Sequence, residues 1–239
     1  MTKDNGPGDG RPDTRRGGDG YVVPGWSASA FDPAYVRATK TAYSGQTSGL
    51  PVVQGNLSLT HVGSEMLTYW HGVRGSRAMP DSSQISPSGF RELLPYARYL
   101  SWEGEEDLRI RVFGSALSAA LGHDLTGMNL LDFMVPEERD RELATFRALH
   151  AHPCGSVAVK RSYIAGGGVR ELEVLHLPVA AVSNSGDETA GLGRILGSVM
   201  MRELPDRWDG MADSQKPMDL LELSFIDIGF GVPALDFQA

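Results

Sequence analysis

Apolar residues recur every three or four positions over residues 59–73. This spacing places them on one side of a helix, so an amphipathic helix is predicted there, with Gly75 as its end. A second helix is predicted from Pro136, because proline suits the first helical position and two glutamates follow near the positive end of the helix dipole. Short helical pieces are expected between the two, at residues 115–121 and near Leu130.

Five further stretches have the alternating or continuous apolar patterns of β-strands. An acidic turn separates the first two, which predicts a hairpin, and three consecutive glycines separate the third from the fourth. The order is therefore one helix, two strands, a helical crossover and three strands. The predicted strands cover residues 96–102, 108–113, 155–165, 169–180 and 192–202.

The two ends of the chain differ from its middle in composition. Residues 1–58 are predicted to be a disordered or loosely structured leader, because the first 20 hold six glycines, two prolines and no apolar residue after Met1. Residues 59–203 contain the predicted elements and are the expected folded domain. Residues 204–239 form an acidic, apolar tail with two basic and seven acidic residues.

The most apolar part of this tail, residues 218–230, cannot be a solvated linker. Two interpretations are open for it. The segment folds back on the domain as a strand or a helix, or it docks on another protein as a helix in a groove or as an added strand.

Charge and composition exclude several classes of protein. The formal net charge of -8 argues against binding along nucleic-acid phosphates, which needs many Lys and Arg. No stretch approaches the ~20 apolar residues that span a bilayer, and the N-terminus lacks the apolar core of a signal peptide, so a cytoplasmic location is expected. Cys154 is the single cysteine, which excludes an intramolecular disulfide and a zinc site built on several thiolates.

The order of elements, together with a series of short motifs, resembles the bacterial PAS-like family, whose members are often one PAS domain preceded by a helix. Each motif alone is weak, and the series covers roughly residues 60–203. The motifs are Tyr69-Trp70, Arg74-Gly75, Arg77-Ala78-Met79-Pro80, Leu93-Leu94-Pro95, Arg109-Ile110-Arg111-Val112-Phe113-Gly114, and Gly122 with Leu125-Thr126-Gly127.

This resemblance implies an α+β fold, with a PAS-like five-stranded antiparallel sheet, short helices on one face and an N-terminal amphipathic helix. It also implies a stand-alone, non-catalytic sensory or regulatory module that signals through contact with a partner protein. PAS sheets commonly pack a flanking helix on their outer face. Residues 59–73 are therefore expected to cover the sheet, either within the chain or across a homodimer.

Short helices over one face of a small sheet leave a space between the sheet and the helices. The apolar residues around this space have two interpretations: they fill a core, or they line a pocket for a small-molecule ligand that the sequence does not identify. The candidate ligand-binding residues are Ile110, Val112, Leu117, Leu121, Leu130, Phe133, Met134 and Phe146.

Two other functions stay open, a haem- or flavin-loaded PAS sensor and an enzyme on this scaffold. His150 lies at the end of the helix that carries the iron ligand in haem-binding PAS sensors, although a histidine there also interacts favourably with exposed helix carbonyls. Cys154 lies outside the Asn-Cys-Arg setting of flavin photosensors. No catalytic residue and no metal site is predicted, because neither a nucleophile–base pair nor a second pair of zinc ligands can be placed by spacing.

Arg109 and Arg111 alternate with the apolar residues of the second strand and are expected on its other face. They are predicted to be solvated, or paired with Glu171 and Glu173 on a neighbouring strand. The alternative is a contact with a partner or an anion.

Overall fold

The computed structural model describes residues 51–55, 57–181, 193–203, 211–213 and 216–233. The strands are β1 (Val52–Val53), β2 (Ala97–Gly104), β3 (Asp107–Phe113), β4 (Gly155–Tyr163), β5 (Val169–Val179), β6 (Arg194–Met201) and β7 (Asp219–Asp227). The α-helices are α1 (His61–Arg74), α2 (Ser115–Leu121) and α3 (Pro136–Ala151), and 3₁₀ turns cover Ser82–Gln84, Pro87–Tyr96 and Leu130–Phe133. None of the helices in this part of the chain is long and apolar enough to cross a membrane.

The strands form one antiparallel sheet in the order β1-β7-β4-β5-β6-β2-β3. The five predicted strands are β2 to β6, and the predicted α+β architecture, an antiparallel sheet with short helices and an N-terminal amphipathic helix, is confirmed. The sheet is wider than predicted, because β7 makes six strands of seven or more residues and the two-residue β1 pairs outside it.

Strand β7 comes from the acidic, apolar tail and folds back on its own chain. It lies antiparallel to β4, with Leu223 opposite Ala158 and Phe225 opposite Ser156. Phe225 and its neighbour Ile226 are buried on opposite faces of the sheet, which explains why this segment adds to the sheet. The predicted leader contributes β1, while residues 1–50 lie outside the described residues.

Helix α1 covers one face of the sheet, here called the α1 face. Met66 and Trp70 on its apolar stripe are fully buried and belong to the same cluster as Leu175 of β5. The indole Nε1 of Trp70 donates a 2.8 Å hydrogen bond to the carbonyl of Pro178. The flanking helix therefore covers its own sheet, and a homodimer through residues 59–73 would require release of this buried stripe.

A buried carboxylate attaches the N-terminal end of α1 to the sheet. Glu173 of β5 is 1% exposed and accepts hydrogen bonds from the backbone N–H of Thr60 at 2.6 Å and from its hydroxyl at 2.7 Å. Gly63 allows this close approach, because a Cβ there would lie 2.1 Å from a Glu173 oxygen. Burial raises the pKa of Glu173, and the hydrogen bonds from Thr60 oppose that rise.

The segment from Arg74 to Pro80 connects the end of α1 to the sheet. Arg74 is 1% exposed, lies 5.4 Å over the Trp70 ring and donates a hydrogen bond to the carbonyl of Arg77. Farther on, the carbonyl of Pro80 accepts a 2.9 Å hydrogen bond from the backbone N–H of Ala180. These motif residues therefore have structural roles in this chain.

The opposite side of the sheet, here called the α3 face, is covered by α2, by the turn Leu130–Phe133 and by α3. Its apolar part includes side chains from the four strands β2, β3, β6 and β7 and from α3. Those that are fully buried include Leu100, Ile110, Ile195, Phe146 and Leu149.

Candidate functional site

A row of residues crosses neighbouring strands on the α3 face. Arg98 of β2 lies opposite Gly197 of β6, and Gly197 lies opposite His176 of β5. Because Gly197 has no side chain, Arg98 Nη2 reaches across β6 and lies 2.6 Å from His176 Nε2. A Cβ at Gly197 would lie 2.3 Å from the carbonyl oxygen of Leu175, so the position requires glycine.

The His176 ring is neutral at physiological pH. Burial, followed by the charges of Arg98 and Lys160, lowers its pKa well below the ordinary value of 6.5. A guanidinium only donates, so His176 Nε2 accepts and the ring proton lies on Nδ1, which faces Ser156 Oγ at 3.5 Å. The ring of Phe146 stands nearly perpendicular to the imidazole, with centroids 4.8 Å apart.

A buried ion triad lies on the same face, between β4 and the first half of α3. Lys160 is 3% exposed, while Glu138 and Glu142 are 5% and 6% exposed. Lys160 Nζ donates to Glu138 at 3.0 Å and forms a shorter hydrogen bond with Glu142. The two glutamates are four residues apart, so one face of α3 presents both to a single lysine.

Arg98 is the one cation of this cluster that forms no ion pair among the described residues. Burial lowers its pKa to about 10, and the nearby charges of Glu142 and Glu138 oppose that fall, so the side chain stays cationic at neutral pH. Its Nε is buried and has no hydrogen-bond partner in the described part of the chain. Buried polar groups are nearly always partnered, so this atom is an open donor.

Most of the predicted ligand-binding residues lie on the α3 face, beside this polar cluster. Ile110, Leu130 and Phe146 are buried there. Leu121 and Met134 are partly buried against them. The structure therefore brings these five predicted residues together.

The other three predicted residues lie elsewhere. Phe133 is 50% exposed, and Leu117 is partly buried outside the apolar cluster. Val112 lies opposite Tyr99, which packs against the α1-face cluster, because a bulge at Arg111 shifts the register of β3. The shift places Val112 on the face opposite Ile110.

The polar residues of the site were not predicted from the sequence, although a signal for them exists. Arg98 lies two residues before the buried Leu100 on β2, and His176 lies two residues after the buried Val174 on β5. Residues two apart on a strand share a face, so each occupies an inward position. Lys160 likewise follows two residues after the buried Ala158. A charged or titratable residue at an inward strand position indicates a buried polar site.

His150 and Cys154 are both buried in structural positions. His150 Nε2 lies 3.0 Å from the carbonyl of Arg194 and Nδ1 lies 3.3 Å from that of Phe146, so the ring joins the end of α3 to β6. Burial lowers the pKa of His150 and raises that of the Cys154 thiol. Within the described ranges, no group of three or more His, Cys, Asp or Glu side chains is arranged to hold a metal ion.

The expected pairing of Arg109 and Arg111 with the glutamates of β5 is wrong. Strand β3 is at the edge of the sheet, and β2 and β6 separate it from β5. Arg109 instead pairs with Asp107, and Arg111 pairs with Glu103. Both contacts are local to the β2–β3 hairpin.

Comparison with known proteins identifies the middle of the chain. Residues 59–195, more than half of the chain, match a family model described as PAS domain. No curated protein matches the chain. The matched segment begins just before α1 and ends in β6, so it includes the polar cluster on β2, β4, β5 and α3 and leaves out β1 and β7.

Two solved structures are similar to the chain. The crystal structure of the PAS domain of an HTR-like protein from Haloarcula marismortui is 16% identical, with 48% of this chain and 89% of that chain covered and a TM-score of 0.32. The structure of an RNA-binding light-oxygen-voltage receptor is also 16% identical, with 66% of this chain and 39% of that chain covered and a TM-score of 0.34.

Proposed function

The chain belongs to the PAS domain family, and we propose that it is a non-catalytic regulatory module that binds a small ligand on the α3 face and signals through a partner protein. The observation that carries ligand binding is the buried polar cluster beneath α3, with the open donor of Arg98 beside His176. A cytoplasmic location and a bacterial origin stay predictions.

The energetics of burial support this proposal. Removing an ion from water costs several kcal/mol, and a buried ion pair seldom stabilises a fold more than apolar side chains of the same size. The α3 face nevertheless buries one cation, Lys160, and two carboxylates between a helix and a sheet, with the partly exposed Arg98 beside them. A binding role explains why these positions are charged rather than apolar.

Native mass spectrometry of the full chain, purified under cofactor-replete conditions, tests ligand binding. We expect a bound small molecule that is lost on denaturation and is absent from Arg98→Met. Arg109→Met is the matched control, because Arg109 pairs with Asp107 at the sheet edge, and it should retain the molecule. A chain that carries no molecule and is stabilised by none of a panel of small metabolites would contradict the proposal. A Soret band would favour the haem-loaded alternative instead.

The outer edge of β7 is the surface we propose for the partner. Strand β1 pairs only with the last two residues of β7, and no other described strand lies outside residues 219–224. Asp219 and Glu222 are exposed along this edge, and Leu221 is 38% exposed. An open edge accepts an extended segment through backbone hydrogen bonds, and the acidic side chains favour a segment rich in Lys or Arg.

A synthetic peptide of alternating Lys and Val residues, compared with its Glu and Val counterpart, tests this surface. We expect the lysine peptide to bind the full chain, and Glu222→Lys to weaken it several-fold, a loss of roughly 1 kcal/mol. Glu137→Lys changes an exposed glutamate of α3 and should leave binding unchanged. Equal binding of the two peptides, or no binding of either, would contradict the choice of a basic partner segment.

A further inference from the structure

The geometry around Arg98 points to the chemical class of the ligand. Resting on the ligand-binding function proposed above, we infer that Arg98 binds the carboxylate of a small monocarboxylic acid whose apolar body lies against the apolar part of the α3 face.

The donors of Arg98 are available for this contact. A guanidinium has five N–H donors in a planar fork that matches the two oxygens of a carboxylate. In the described residues one of these donors is directed to His176, while Nε is buried without a partner. Because His176 Nε2 carries no proton, it accepts from Arg98 and offers no donor of its own on that side. The acceptor that the cluster lacks is therefore an oxygen placed beside Arg98.

The charges around Arg98 limit the ligand to one negative charge. Lys160 is paired with both Glu138 and Glu142, and His176 is neutral, so Arg98 is the cation that forms no ion pair among the described residues. Two cations and two carboxylates leave the group without net charge, so a ligand carboxylate that pairs with Arg98 adds one negative charge to it. A second negative charge would face the two glutamates, whose charges already act on Arg98.

The surroundings of Arg98 favour an apolar ligand body. Leu100 follows Arg98 on the same face of β2 and is fully buried, and Phe113 lies opposite Arg98 on β3. Ile195 and Phe146 belong to the same apolar cluster. A hydrocarbon chain or an aromatic ring attached to the carboxylate would lie beside Phe113, which is partly exposed at the edge of this cluster, whereas a polar body would be left without partners there.

Calorimetry and thermal unfolding of the full chain with hexanoate, hexanamide and succinate test this inference. Hexanoate should bind and, at 100-fold its Kd, raise Tm by about 5 °C or more. Hexanamide lacks the charge and succinate carries a second one, so both should bind at least about tenfold more weakly.

Two variants of Arg98 and one control variant test whether hexanoate binding depends on Arg98. Arg98→Met should abolish hexanoate binding, and Arg98→Lys, which keeps the charge and loses the planar fork, should weaken it at least about tenfold. Arg109→Met should bind as the unmodified chain does. If Arg98→Met does not fold, Arg98→Lys still tests the inference, because it keeps the charge at this position.

Equal binding of hexanoate and hexanamide, or equal hexanoate binding by all the variants, would overturn the inference. The same holds for the absence of hexanoate binding. A neutral or cationic molecule found by native mass spectrometry would also overturn it, while leaving the proposed ligand-binding function in place. A chain that binds no small molecule at all would overturn both.

Discussion

The two faces of the sheet are closed in different ways. On the α1 face an apolar helix stripe packs against apolar strands, and a carboxylate, Glu173, accepts hydrogen bonds from the helix start. On the α3 face an apolar half lies beside a half that holds the triad of Lys160, Glu138 and Glu142 and the row from Arg98 to His176. The α1 face shows that this chain can hold a helix on its sheet without a buried ion triad. The α1 face also buries Glu173 and Arg74, which have structural roles there, so the triad is what distinguishes the α3 face, and the proposed ligand binding gives a reason for it.

The largest effect is expected from breaking the triad. Lys160→Met leaves Glu138 and Glu142 buried without their cation, so we expect a loss of about 3–5 kcal/mol in the free energy of unfolding. Denaturant titration of the full chain measures this loss. Lys216→Met removes a surface lysine and should change stability by less than about 0.5 kcal/mol. A loss below about 1 kcal/mol for Lys160→Met would mean that the triad is solvated and that the faces differ less than described.

A smaller loss is expected when the α1 face loses its buried indole hydrogen bond. Trp70→Phe keeps an aromatic ring but leaves the carbonyl of Pro178 without its donor, which should cost about 1–3 kcal/mol. Thr68→Ala, on the exposed side of α1, is the control and should cost less than about 0.5 kcal/mol. Equal stability of Trp70→Phe and the unmodified chain would show that packing alone holds α1.

The outline of this fold could be predicted from the sequence because local patterns determine it. The spacing of apolar residues predicts α1, Pro136 with the two glutamates after it predicts α3, and the prediction of residues 115–121 coincides with α2 (Ser115–Leu121). The sequence does not distinguish packing of the tail on its own domain from docking on another protein, because an apolar acidic segment suits either. The structure places it in cis as β7, where Phe225 and Ile226 are buried on the two faces.

The site was only partly predictable, because its residues meet through tertiary contacts. Lys160 occupies an inward position of β4, but its partners could not be predicted, because α3 places the two glutamates over it through a tertiary contact. Simple alternation predicts Val112 on the same face as Ile110, and the bulge at Arg111 that reverses this has no glycine or proline to mark it. Phe133 has the same apolar character as Phe146 but lies at the surface.

The two faces should also respond to pH in opposite directions. The pKa of Glu173 is raised in the folded chain, so its contribution to stability is present below the ordinary value of 4.5 and is lost as the pH rises through the folded pKa. The pKa of His176 is lowered, so its contribution is present above 6.5 and is lost as the pH falls towards the folded pKa.

Denaturant titration at a series of pH values measures both contributions. As the pH rises above 4.5, the unmodified chain should lose stability relative to Glu173→Gln. As the pH rises towards 6.5, it should gain stability relative to His176→Leu. If both differences changed with pH in the same direction, at least one of the two groups would be charged differently from the state described here.

The smallest effect is expected at the surface of the helical crossover. Phe133→Ala changes a side chain that is half exposed, so the free energy of unfolding should change by less than about 0.5 kcal/mol. Phe146→Ala is the contrast, because that ring is fully buried against His176 and its loss should cost about 3–5 kcal/mol. Equal losses in the free energy of unfolding for the two variants would mean that Phe133 is buried in the core, beside the other predicted ligand-binding residues.

The measurement that tests the central claim most directly is the stability of a chain whose triad is made apolar. The triple variant Lys160→Met/Glu138→Leu/Glu142→Leu removes all three charges together, so no charge of the triad stays buried without a partner. If the charges serve binding rather than folding, this variant should unfold with a free energy equal to that of the unmodified chain, or up to about 1–4 kcal/mol greater. A loss as large as that of Lys160→Met alone would contradict the claim and would make the triad an attachment of α3 to the sheet.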